Sequence, residues 1–123
     1  MPGRILVAGL DARELRLEVR FLQRDPGLVT AALSARELFA AVAREEASLV
    51  VLGPRLPDVP IEEAIRRIRE GPAGQRASIL VLIPASDLAG TEGIVLGAGA
   101  NAALRRPFER FVLESWVAKL LDV

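Results

Sequence analysis

Few side chains in this sequence could carry covalent chemistry. It contains no His, no Cys and no Tyr, which removes imidazole acid–base catalysis, thiolate attack, disulfides and the commonest zinc sites. Lys119 is the single lysine. Carboxylates, hydroxyls and arginines remain, and their worth depends on where they fall. Asp11 lies just beyond the first apolar run, Asp58 follows Gly53-Pro54-Arg55 after another, and Arg106 precedes Pro107. A lone carboxylate is not a metal site, and no Asp or Ser here belongs to a catalytic constellation. The chain is therefore expected not to be an enzyme and to hold no cofactor.

The elements that must position these residues follow from the pattern. At 123 residues, with about half of them apolar, the chain is one domain, spanning 1–123. Five short apolar runs alternate with segments of helical period, which predicts a parallel sheet covered on both faces. The runs are Arg4–Ala8, Leu28–Leu33, Ser48–Leu52, Ser78–Ile83 and a short edge, Asn101–Leu104. Helices are expected from Asp11 to about Arg24, from Ser34, from near Pro60 to Gly71, and from Pro107 to the end. Ser34 with Glu37 reads as a capping box. Glu62–Arg66 and Glu63–Arg67 read as exposed pairs one turn apart. Between Asp87 and Gly99 the helix is expected to be short or frayed, irregular at Asp87–Gly93, because Gly90, Gly93 and Gly97 each disfavour it.

Sixteen basic residues balance sixteen acidic ones, so no global field draws the chain to nucleic acid or to an anionic membrane. No apolar run approaches the ~20 residues of a membrane span, and the start is not a secretory signal. A cytoplasmic location is the expectation. Arg13, Arg16, Arg20 and Arg24 share a helix face, but Glu14 and Glu18 interleave with them and make it a solvated surface. Gly97-Ala98-Gly99 precedes a strand, the wrong context for a phosphate-cradling loop.

The order of these elements, together with several phrases, resembles the receiver domain of bacterial two-component response regulators. The phrases are Ile5-Leu6-Val7, Leu49-Val50-Val51-Leu52, Arg55-Leu56-Pro57-Asp58, Gly99-Ala100-Asn101 and Arg106-Pro107-Phe108. The resemblance implies a flavodoxin-like, doubly wound α/β fold with a five-stranded parallel sheet of order 2-1-3-4-5 and helices on both faces. It also implies phosphorylation of an Asp ending the third strand, beside Mg²⁺ held by two acids that end the first. A Ser or Thr after the fourth strand and a Lys after the fifth would contact the phosphoryl group, an aromatic on the fifth would report it, and the peptide before Pro107 would be cis.

This sequence departs from that pattern at each position. Gly9 and Leu10 stand for the acids, Gly53 for the acceptor, Pro84 for the hydroxyl and Ala103 for the aromatic; Arg106 alone keeps its charge. Glycine cannot be phosphorylated, and a site without the carboxylates cannot hold Mg²⁺. The implied protein is a degenerate pseudo-receiver. Arg106 is expected to pair with Asp11 or Asp58.

The last helix suggests a role. Leu113, Val117, Leu120 and Leu121 are spaced to pack on the sheet, which leaves Phe111, Val112 and Trp116 partly off that face. They read either as the rim of an enlarged core or as anchors for a partner. The expected function is a phosphorylation-independent protein–protein interaction module of a signalling protein, the N-terminal piece of a longer chain, meeting a protein partner or a second copy through that helix. The alternative is a sensor of a small ligand or anion in the vacated crevice near Arg106.

Overall fold

In the computed structural model, the described residues are 4–9, 29–45, 47–53, 55–72, 74–86, 90–106 and 110–120. Their strands are β1 (Ile5–Ala8), β2 (Val29–Ala32), β3 (Leu49–Leu52), β4 (Ser78–Ile83) and β5 (Ala102–Arg105). The helices are α1 (Ala35–Glu45), α2 (Ile61–Glu70), α3 (Thr91–Ala98) and α4 (Arg110–Leu120). All neighbouring strands are parallel, in the order β2-β1-β3-β4-β5. The expected flavodoxin-like fold is the observed one, with Ala102–Arg105 at an edge. The helix expected over Asp11–Arg24, with its arginine face, lies outside the described residues.

Alternation along the strands divides the core in two. Leu6, Val50, Leu52, Ile79, Val81 and Ile83 point to one side, where Leu38 of α1, Ile65 of α2 and Val95 of α3 cover them. Ile5, Val7, Leu49, Val51, Leu80 and Leu82 point to the other, against Leu113 and Val117 of α4. Every residue of β1 and β3 is buried. A continuous apolar run is what a parallel strand covered on both sides requires.

Local signals set most helix ends. Ser34 Oγ accepts the Glu37 N–H at 3.1 Å, as a capping box demands, but the Glu37 carboxylate reaches back to the Leu33 N–H at 2.6 Å instead of Ser34. Helix α2 follows Pro60 and ends at Gly71. Of its two expected ion pairs only Glu63–Arg67 closes, at 2.9 Å. Glu62 instead lines a groove facing α3. Helix α3 is short, as expected, but it runs regularly through Gly93 and Gly97. Gly93 lies within the helix, and Val95, wholly buried two residues on, carries it onto the sheet; residues 87–89 lie outside the described set. No helix among the described residues is long and apolar enough to cross a membrane.

Two glycines have opposite requirements. A Cβ on Gly74 would lie 1.9 Å from the Ile68 carbonyl oxygen, whereas one on Gly93 would meet nothing within 4 Å. Gly74→Ala is therefore expected to destabilise the domain by about 3 kcal/mol or more, since backbone must move. Gly93→Ala should stabilise it by roughly 0.5–1 kcal/mol through helix propensity. Urea denaturation midpoints of the two variants, moving in opposite directions, check both expectations.

Candidate functional site

The carboxyl ends of β1, β3, β4 and β5 bring together Gly9, Gly53, Pro84 and Arg106, the crevice where open α/β sheets bind ligands. Parallel register opposes Ala8 to Leu52, and the Gly53 N–H donates to the Ala8 carbonyl at 2.8 Å. The ladder thus runs one residue past β3, and Gly53 is buried. On the other side, the Arg106 N–H donates to the Ile83 carbonyl at 2.8 Å. The Arg106 side chain and Pro84 are both half-buried, and Arg105 Nη1 reaches the Pro84 carbonyl at 3.5 Å. Leu10, Asp11 and Pro107, with the expected cis bond, lie outside the described residues.

Gly9 decides the shape of the crevice. Its φ is +78°, and a Cβ there would lie 3.0 Å from the Arg55 carbonyl oxygen and 3.1 Å from the Gly53 nitrogen. The loop after β3 therefore packs backbone to backbone against the turn after β1. Only a residue without a side chain fits both the space and the dihedral. The residues present do not fit Mg²⁺. Gly9 and Gly53 offer no side-chain oxygen, Leu10 carries no carboxylate, and a side chain at position 9 would be crowded by the Arg55 carbonyl.

Asp58 has another task than the expected pairing with Arg106. Its two carboxylate oxygens accept the backbone N–H groups of Ala35 at 2.8 Å and Arg36 at 3.0 Å. The anion sits on the first turn of α1, where free N–H groups and the helix dipole favour it. The Ala35 bond, ahead of the others, holds the carboxyl below its usual range although the side chain is exposed. The loop after β3 is thereby tied to the helix after β2. Beyond it, residues Arg55–Glu62 face Thr91 and Ile94 of α3 across an open groove of about 520 Å³.

The residues singled out on the last helix fall in three environments. Phe111 is 62% exposed, Val112 is half-buried, and Trp116 is half-buried against the α4-side core. The Lys119 ammonium stands 5.2 Å from the Trp116 ring centre, within cation–π range. Leu113 and Val117 fill the sheet-facing stripe, and Ser78 Oγ donates to the Leu120 carbonyl at 3.0 Å. Trp116 is thus covered in part by its own chain, while Phe111 is left to solvent. Ala103, in the aromatic's position on β5, is half-buried against the opposite core.

A scan against protein-family models and a search of curated proteins found no match. Solved structures do match. Over 100% of both chains, the fold is similar to that of a protein assigned as a response regulator from Chloroflexus aurantiacus, at 23% identity and a TM-score of 0.89. It is similar over the same full lengths to the receiver domain of a sensor histidine kinase from Pseudomonas aeruginosa, solved with magnesium in its active-site cleft, at 24% and 0.87. A chemotaxis response regulator of Vibrio cholerae is 17% identical with a TM-score of 0.85, covering 98% of this chain and 99% of that one. The fold is that of the receiver domains of two-component signalling.

Two outcomes follow from this geometry. Asp58 has a lowered pKa in the folded state, so its contribution is fully present above the usual carboxylate value of 3.8 and is lost as pH falls through the lower folded value. Asp58→Asn should flatten this acid limb of the melting-temperature profile between about pH 5 and pH 2, measured against the parent. Restoring an acid at Gly9→Asp should cost about 1–3 kcal/mol in a denaturant titration, because a left-handed backbone must carry a side chain against the Arg55 carbonyl.

Proposed function

We propose that this domain is a phosphorylation-independent pseudo-receiver that works as a protein–protein interaction module in a signalling protein, not as an enzyme. The observation that carries the reading is the contact at Gly9. The acceptor position is Gly53, and a side chain at position 9 would crowd the Gly53 and Arg55 backbone, its Cβ 3.0 Å from the Arg55 carbonyl oxygen. A crevice closed by backbone at that point supports an interaction module over a ligand sensor, which would need convergent polar side chains there. The receiver fold of its structural neighbours supports a place in two-component signalling, in the cytoplasm.

The contact surface in this reading is α4 beside the edge strand β5, with Phe111, Val112 and Trp116 as its anchors and a protein partner or a second copy as its occupant. Phe111, the most exposed aromatic of the described residues, would lose its water only against another molecule. Burying such a side chain is worth roughly 1.5–3 kcal/mol, enough to matter for association.

Intact mass after incubation with acetyl phosphate and Mg²⁺ is expected to be unchanged, and association measured by sedimentation should be the same with or without that treatment. Trp116→Ala should weaken association about tenfold or more while the circular dichroism spectrum is kept. A stable adduct of one phosphoryl group overturns the phosphorylation-independent reading. Association indifferent to Trp116→Ala, in a folded variant, overturns the surface.

A further inference from the structure

Helix α3 buries few of its side chains. It spans eight residues, has glycines at 93 and 97, and gains no side-chain cap from Gly90. Val95 is its only buried residue, while Ile94 and Leu96 are 50% and 41% exposed. An isolated helix of this length and composition does not persist in water. Both flanking residues, Gly90 at φ +73° and Gly99 at φ +125°, have backbone that side-chain-bearing residues avoid.

One side chain grips its carboxyl end. Arg69, in the last turn of α2, donates from Nε to the Gly99 carbonyl at 2.9 Å and from Nη2 to Asn101 Oδ1 at 2.7 Å. Its Nη1 donates to the carbonyls of Gly74 at 3.0 Å and Ala77. Asn101 Oδ1 in turn accepts the Ile79 N–H at 2.8 Å, which joins the cluster to β4. The aliphatic stem presses on Gly99, where a Cβ would lie 2.9 Å from Arg69 Cγ. Every partner is a neutral oxygen. The carbonyl-rich ends of α2 and α3 meet at one guanidinium, the favourable end of both dipoles for a cation. A fork of five N–H groups serves this geometry, and an ammonium cannot reproduce it.

We propose that α3 opens as a local unit on the native domain, between its two left-handed glycines, and that Arg69 is the latch that sets how often it does so. The opening does not depend on what the domain binds. Its amino-terminal turn carries Thr91 and Ile94, one wall of the groove facing Arg55–Glu62. Release of the latch would therefore widen that groove while the sheet stays folded.

Hydrogen exchange followed by mass spectrometry tests this on the whole chain. In Arg69→Met the amides of 94–99 are expected to exchange at least about tenfold faster, with those of β3 and β4 unchanged; Arg69→Lys should resemble Met. Equal acceleration in α3 and in β3 and β4, or none in α3, overturns the latch. Should Arg69→Met fail to fold, Asn101→Asp decides. It keeps both accepting roles of the side-chain oxygen and adds a negative charge to the guanidinium. Exchange in α3 is then expected to slow by about threefold or more relative to β3. An unchanged ratio overturns the proposal.

Discussion

Strands β1 and β3 are buried along their whole length, and a parallel sheet made from them cannot leave either face to water without exposing Leu, Ile and Val together. Two helical layers are the consequence. The side with Leu6, Val50, Ile79 and Val81 is covered by α1, α2 and α3, and the side with Val7, Leu49, Leu80 and Leu82 by α4. Each fully buried side chain of this kind contributes roughly 1.5–3 kcal/mol. The cost falls on the connections, which must cross from one end of the sheet to the other and meet at its carboxyl edge.

At that edge two turns meet through their backbones, with Gly9 against Gly53 and Arg55. The nearby carboxylate of Asp58 accepts the first two amides of α1 and holds its first turn. One similar fold holds magnesium in its active-site cleft. The fold does not require the site, because the core lies in the sheet and its helices.

The two ends of the sheet are fastened differently. At the carboxyl end the fastening is close approach of glycine backbone and an anion on a helix start. At the opposite end it is a cation among carbonyl oxygens: Arg69 gathers Gly74, Ala77, Gly99 and Asn101. Burial pulls the Arg69 pKa down, while each of its hydrogen-bond partners is a neutral oxygen. The phrase Gly99-Ala100-Asn101 is thus explained by packing: Gly99 makes room for the Arg69 stem, and Asn101 bridges the guanidinium to the Ile79 amide.

Periodicity and local punctuation were enough to read the strands, the start of α1 at Ser34, the end of α2 at Gly71 and the inward stripe of α4. These are properties of residues within a few positions of one another, and the chain has the same local geometry wherever it lies. The places of Gly9, Gly53 and Pro84 just past β1, β3 and β4, and of Ala103 within β5, were equally legible, since the strands mark them. The partners of those residues were not. Asp58 binds an amide 23 residues away, and Arg69 a carbonyl 30 residues away. Glu62, one turn from Arg66, lines the groove opposite Thr91 and Ile94 instead. Gly93 stayed helical because Val95, two residues on, found a place in the core. Choice of partner across such separations depends on strand register and on which face each crossover helix takes. Those are settled only when the whole sheet is assembled, so the elements belong to the sequence and their contacts to the tertiary structure.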